Sequence, residues 1–226
     1  MWHGLWELIY PASCLLCGAP GLHFCAACRA ALVSSAPPAC PRCAANLGPY
    51  AQCSACPRER FAFDGAVRLA AYEGLARSTV LRLKWGWSET LAELLGQLWA
   101  QSQTCPEPVD AIVPVPLHWS RRLRRGYNQA ESLARGLARV WDIPVQSRWL
   151  WRMRATADQK SFGRAGRRTN LKGAFAVTRG LDLQGRRLLL VDDVMTSGAT
   201  CHEAARALKA AGASRVIAAV LARAND

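Results

Sequence analysis

Residues 188–200 read LLLVDDVMTSGAT. Leu188, Leu189, Leu190 and Val191, with Val194 beyond the two acids, make an apolar run suited to a strand buried on both faces, as in a parallel sheet. The carboxyl end of such a strand is where open α/β sheets bind ligands. Asp192 and Asp193 stand at that end, where carboxylates accept hydrogen bonds from vicinal hydroxyls or hold a hydrated magnesium ion. Thr196, Ser197, Gly198, Ala199 and Thr200 follow and open a helix expected over Cys201–Ala211. Backbone N–H groups at a helix start and the positive end of its dipole favour a phosphate dianion, and Gly198 lets the backbone come close. The order of parts suits a phosphorylated sugar. A plain strand, turn and capped helix would give no packing reason for two adjacent acids closing an apolar strand; Asp182 and its neighbouring arginines, by contrast, read as solvated surface.

Upstream, the pattern alternates between strands and helices. Phe61–Tyr72 reads as a strand that Gly74 breaks. Leu75–Trp85 and Glu89–Gln103 read as helices separated at Gly86, the second carrying Leu91, Leu94, Leu95 and Leu98 on one face and closed by Pro106 and Pro108. Ala111–Val115 is expected as a short buried strand, followed by a helix from about Asn128 to Trp141, a strand near Val145–Trp151, a basic loop, a strand at Ala174–Val177 and a last one at Arg215–Leu221. Such alternation predicts an α/β domain with a mainly parallel sheet.

The amino-terminal quarter is different. Eight of the ten cysteines fall in four CxxC pairs, Cys14/Cys17, Cys25/Cys28, Cys40/Cys43 and Cys53/Cys56. Each pair can place two thiolates on one tetrahedral ion, and two pairs complete a structural zinc site, so two zinc ions are expected. Sequential pairing needs only short loops and gives two stacked ribbons; an interleaved cross-brace is the alternative. A disulfide framework is disfavoured because Met1–Tyr10 lacks a basic start and an unbroken apolar core, and a reducing cytoplasm favours metal. Leu5, Trp6 and Ile9 form the apolar stripe of a short leading helix. Cys105 and Cys201 have no partner in sequence and read as ordinary small residues.

The formal charge of +13 falls to about +9 when two Zn(Cys)4 sites, each of net charge minus two, are counted. The excess is localised: residues 1–64 carry 4 Lys/Arg against 3 Asp/Glu, whereas residues 114–172 carry 14 against 3. A polyanion is the natural partner of the second half, and Trp119, Trp149 and Trp151 interleave with those cations as stacking platforms for single-stranded nucleic acid. No apolar run reaches the roughly 18 residues of a membrane span, so the expectation is a cytoplasmic protein without one.

The Leu188–Thr200 run resembles the phosphoribosyl pyrophosphate (PRPP) signature of the type I phosphoribosyltransferases, an apolar strand, two acids and a Thr/Ser-Gly-x-Thr loop. Pro114–Ala130, PVPLHWSRRLRRGYNQA, resembles the pyrophosphate-side loop of one branch, the competence-related ComF family. Thr156, Gln159, Arg167, Asn170 and Phe175 match that family's T-x-x-Q, R-x-x-N and A-F spacing, with Phe162 where leucine is usual. The family's cysteine-rich amino terminus is matched as well, so the resemblance covers essentially the whole chain. It implies a double zinc ribbon over residues 1–60 and, over 61–226, a phosphoribosyltransferase-like α/β domain whose mainly parallel sheet is flanked by helices.

The chemistry implied is displacement of pyrophosphate from C1 of ribose, with magnesium bound to PRPP. In that scheme Asp192 and Asp193 are the catalytic carboxylates holding the ribose hydroxyls. Thr196–Thr200 grip the 5-phosphate. Arg125 and Gly126, with Lys160, Arg164 and Arg167 on a mobile loop around Ser161–Thr169, face the pyrophosphate. His118 and His202 flank the site without a readable acid–base partner, and the acceptor is left open. The family implies a role in DNA uptake, transformation or nucleotide salvage. Two functions therefore stand side by side: a magnesium-dependent transferase, and a non-enzymatic protein that binds single-stranded DNA or competence-machinery proteins and keeps PRPP as a sensed ligand.

Overall fold

The computed structural model describes residues 13–33, 37–58, 60–85, 88–154 and 171–224. Its elements in chain order are α1 (Ala26–Val33), β1 (Gly65–Ala71), α2 (Gly74–Leu83), α3 (Glu89–Ser102), β2 (Ala111–Pro114), α4 (Trp119–Arg125), α5 (Gln129–Trp141), β3 (Leu150–Arg152), β4 (Phe175–Val177), β5 (Arg187–Met195), α6 (Ala199–Ala210) and β6 (Arg215–Arg223). The leading helix expected around Leu5–Ile9 and the basic loop at 155–170 lie outside the described residues.

The central sheet has the order β1-β6-β5-β2, and every pairing in it is parallel. The expected signature strand lies in its interior as β5, and Leu188–Val191 are fully buried. Their side chains divide between the two faces: Leu188 and Leu190 enter one apolar cluster, Leu189 and Val191 the other. That division is why the run shows no polar alternation. On the first face lie α6 and Phe63; on the second lie α2, α3 and α5, with Trp99, Leu95 and Leu133 at the centre. The helices α3 and α5 cross closely because Gly96 and Gly136 meet. A Cβ on Gly96 would stand 3.0 Å from the Gly136 Cα and 2.3 Å from Leu133 O, the latter a separation real side chains do not occupy. Glu93 and Arg139 seal the crossing at 2.7 Å.

Two expectations are corrected. The strand near Val145–Trp151 is not continuous: Val145 makes one isolated parallel bridge to Ile112, and the chain then turns so that Leu150–Arg152 pairs antiparallel with Phe175–Val177 in a separate two-stranded sheet. Trp119–Arg125, read as loop, is helical, with His118 accepting from the Ser120 N–H at one end and Gly126 in the left-handed region (φ 80°) at the other.

The cysteine-rich segment is built into this core. Cys40, Cys43, Ala44 and Ala45 belong to the same apolar cluster as Leu188, Leu190 and α6, while Phe24 and, on α1, Leu32 belong to the cluster on the opposite face. The two ribbons thus feed different faces of the sheet. Arg68 on β1, 5 % exposed, donates to Ala44 O at 2.9 Å and Pro37 O at 2.8 Å. The Ala66 N–H donates to Pro41 O.

Candidate functional site

The eight thiols gather in two groups of four, Cys14, Cys17, Cys25 and Cys28, then Cys40, Cys43, Cys53 and Cys56, the Sγ atoms of each group lying within 4.8 Å of one another. Grouping is sequential. Four sulfurs at about 2.3 Å from one zinc ion stand about 3.8 Å apart, and the closest pairs here are 3.7 Å (Cys17–Cys25 and Cys40–Cys56) and 3.5 Å (Cys43–Cys53). Those separations fit a tetrahedral ion and are far too long for disulfides. Burial raises the Cys14 thiol, but backbone donors led by Cys25 outweigh it and bring it down to about 6. Burial and the surrounding cysteines push Cys28 and Cys56 upward. Four thiols packed this closely cannot all ionise without a cation between them. Metal analysis of the purified protein is expected to return two zinc ions per chain; a value near one would leave one group of four without its ion.

At the carboxyl ends of β2 and β5 opens a cleft of about 590 Å³, counting its wide mouth. Asp192 and Asp193 line it together with the cations Arg125, Arg121, Arg152 and Lys84 and with Thr200. Asp192 is half-buried, and its Oδ1 accepts from the Asp193 N–H at 2.9 Å. Burial, reinforced by the neighbouring Asp193, holds its carboxyl well above the usual range, and Arg152 opposes the shift. Two hard oxygen donors, one of them reluctant to ionise alone, are a donor set that a hydrated divalent cation or a pair of sugar hydroxyls would relieve.

The motif Arg125–Gln129 resolves into separate tasks. Gly126 ends α4 and does not line the cleft. The Tyr127 hydroxyl and Gln129 Nε2 both donate to Leu83 O, at 2.6 and 2.8 Å. Asn128 caps α5 by accepting from the Ala130 N–H and donates its Nδ2 to Val115 O at 3.1 Å. Arg125 is held by Gln129 Oε1 at 3.1 Å. Burial lowers its pKa, and the Asp193 charge acts the other way. The motif locks α4, α5 and the β2 end into one frame that aims a single guanidinium at the acids.

Arg152, Arg121 and Lys84 escaped sequence reasoning. Arg152 ends β3, lies 5.5 Å over the Phe175 ring and has its pKa lowered to about 10 by burial and by Arg121. Such a crowded cation is poised for an anion. The usable signal was the density of arginine in 114–172, which could not say which of them converge. Lys160, Arg164 and Arg167 lie outside the described residues.

Behind the acids, Gly198 takes φ 75° as the residue before α6 and no side chain caps that helix. Its first turn also carries no acidic residue, leaving the helix start electrostatically open to an anion. Ser197, Gly198 and Ala199 are buried and Thr196 is half-buried. A Cβ on Gly198 would meet the Phe61 ring at 2.7 Å. His202 is occupied, accepting at Nδ1 from the Ala62 N–H at 3.1 Å, and His118 serves as a helix cap. Cys201 is buried in the first apolar cluster.

Residues 123–226 match the family model described as the phosphoribosyl transferase domain, and residues 5–57 match the double zinc ribbon domain. Competence protein F of Haemophilus influenzae is 35 % identical over 196 residues, covering 83 % of this chain and 85 % of that protein. DNA utilization protein YhgH of Salmonella typhi is 34 % identical over 222 residues, 92 % of this chain and 96 % of that one. Competence protein ComFC of Bacillus subtilis is 27 % identical over 197 residues, 84 % of this chain and 79 % of that one.

Proposed function

Because the chain belongs to the ComF family of competence and DNA-utilization proteins, we propose that it binds PRPP with magnesium and works in DNA uptake or utilization. The observation that carries the PRPP reading is the juxtaposition of Asp192 and Asp193 with the cationic wall of Arg125, Arg121, Arg152 and Lys84, and with the uncapped start of α6. A sugar bearing an anion at each end fits that sequence of charges. Asp192 and Asp193 accept from the ribose hydroxyls, the Thr196–Thr200 backbone holds the 5-phosphate, and the four cations take up the pyrophosphate charge, which grows as the C1–O bond lengthens. Magnesium, when bound, supplies further neutralisation of the pyrophosphate. Lys160, Arg164 and Arg167, outside the described residues, are the further cations proposed for the pyrophosphate charge.

Calorimetric titration tests this reading. PRPP is expected to bind saturably and only with magnesium, and ribose 5-phosphate, lacking the charge that the cationic wall answers, about tenfold or more weakly. Equal affinity for the two would remove the pyrophosphate role from that wall.

The surface of α4 supports a second role, contact with single-stranded DNA. Trp119 and Leu123 are 67 % and 76 % exposed on a seven-residue helix that also carries Arg121, Arg122, Arg124 and Arg125. An exposed indole among guanidinium groups provides stacking and phosphate contacts without reading sequence. Affinity for single strands is expected to fall by about tenfold or more between roughly 50 and 200 mM salt while changing little with base composition. Salt-insensitive or absent binding in a filter or anisotropy assay would leave those charges to PRPP and solvent.

A further inference from the structure

The second four-cysteine group packs in the same apolar cluster as Met195, which precedes the loop proposed to hold the 5-phosphate, and Ala199 within it. Arg223, the last residue of β6, is 2 % exposed. Its Nε donates to Cys43 O at 3.2 Å. Its Nη1 reaches Met195 O at 3.1 Å, Thr196 O, and Ala224 O at 2.6 Å. One buried guanidinium thus ties the Cys40–Cys43 knuckle to the first residues of the loop, a geometry that needs the planar fork of arginine.

A second route runs in parallel. Arg42 lies inside the same knuckle; its Nη2 donates to Phe61 O at 2.8 Å and its guanidinium stands 5.7 Å over the Phe63 ring. Phe61 stacks on Phe63 at 4.7 Å and is the ring lying against Gly198. The first cysteine group is placed otherwise: Leu32 and Phe24 anchor its segment to the opposite face of the sheet, and Leu16 O accepts from Arg82 Nη1 at 3.3 Å on α2.

We propose that Arg223 is a positioning residue that holds the Thr196–Thr200 loop against the Cys40/Cys43 knuckle, so that phosphate-ester binding at the loop is coupled to the second metal site and not to the first. The coupling rests on the reading of that loop as the phosphate site. Linkage makes it reciprocal: a metal ion that fixes the Cys43 carbonyl favours the loop geometry that binds, and a bound phosphate perturbs that metal site.

The test uses full-length protein loaded with cobalt at both four-cysteine sites, whose thiolate absorption bands overlap, so that a change at one site moves roughly half of the intensity. Titration of wild type with magnesium and PRPP is expected to shift the bands of one of the two sites. In Arg223→Lys the shift shrinks to what the Arg42–Phe61 route still carries, and the dissociation constant rises by about tenfold. Arg68→Lys is the structural control, since it cuts an equally buried guanidinium that joins the same ribbon to β1 through Ala44 O and Pro37 O and does not reach the loop. It is expected to lower the melting temperature and to leave the dissociation constant within about threefold of wild type.

Wild-type binding without a cobalt band shift overturns the coupling, and that result needs no variant to fold. Unchanged affinity in Arg223→Lys, or parallel losses in both lysine variants, overturns it as well. A folded, cobalt-loaded wild type that does not bind PRPP at all overturns the phosphate-site reading and the coupling with it.

Discussion

Gly198→Ala is expected to reduce affinity for PRPP and for ribose 5-phosphate together, by more than about tenfold, with a loss of roughly 1–2 kcal/mol or more in stability. Two costs fall on the same residue. At φ 75° any L side chain is strained, and a Cβ there would stand 2.7 Å from Phe61 Cε1. The ring cannot retreat freely, because it stacks on Phe63 and its own carbonyl is held by Arg42. The loop therefore moves instead, and the N–H groups at the start of α6 lose their common aim. Gly180 provides the comparison: it has nearly the same φ, 77°, with nothing within 4 Å of its added Cβ. Gly180→Ala should show only the backbone strain in thermal melts, with binding unchanged by calorimetry. Equal binding losses in the two variants would mean that the Phe61 contact does not shape the loop.

The second large effect has opposite signs in stability and binding. Asp192→Asn is expected to raise the stability of the ligand-free protein at neutral pH by about 1 kcal/mol or more, while removing PRPP binding. Asparagine keeps the acceptor oxygen that the Asp193 N–H uses and discards the charge that burial and Asp193 disfavour. The folded carboxyl titrates well above its unfolded counterpart, so as pH rises the unfolded chain loses this proton first. Wild-type stability from this group then declines between the unfolded value, about 3.9, and the raised folded one. The advantage of asparagine is absent below that window and complete above it. Denaturant melts at a series of pH values check this; a variant advantage that shrinks with rising pH would contradict the assigned burial of Asp192.

The signature strand and the helix after it could be read from sequence because their physics is local. An apolar run suits burial on both faces, and glycine with hydroxyl residues suits a turn into a helix. The four CxxC pairs were equally local, each a short knuckle whose spacing implies two ligands. Helix α4 was not legible: Leu123 is its only aliphatic residue and is exposed, so WSRRLRR carries no core-facing stripe. The Val145–Trp151 stretch misled for the opposite reason, since it has strand-forming residues but Val145 finds only one bridge before the chain turns to pair with Phe175–Val177.

The cationic wall of the cleft was hidden by distance along the chain, with Lys84, Arg121 and Arg152 arriving from α2's end, α4 and β3. The attachment of the ribbons left even less trace. The carbonyls of Pro37, Pro41, Cys43 and Ala44 accept its key hydrogen bonds, and a backbone carbonyl looks the same at every position. Only the buried arginines that reach them, Arg68 and Arg223, differ from their surroundings, and each sits in a strand whose neighbours are apolar.

The most direct measurement is a calorimetric titration of magnesium and PRPP into the zinc-loaded wild type and into Asp192→Asn/Asp193→Asn, with melting curves recorded for both. Saturable heat in the wild type, abolished in a double variant that remains folded and melts no lower, is the predicted result. Absence of heat in the wild type, or undiminished binding in the double variant, would contradict the assignment of the Asp192–Asp193 cleft as the sugar-phosphate site.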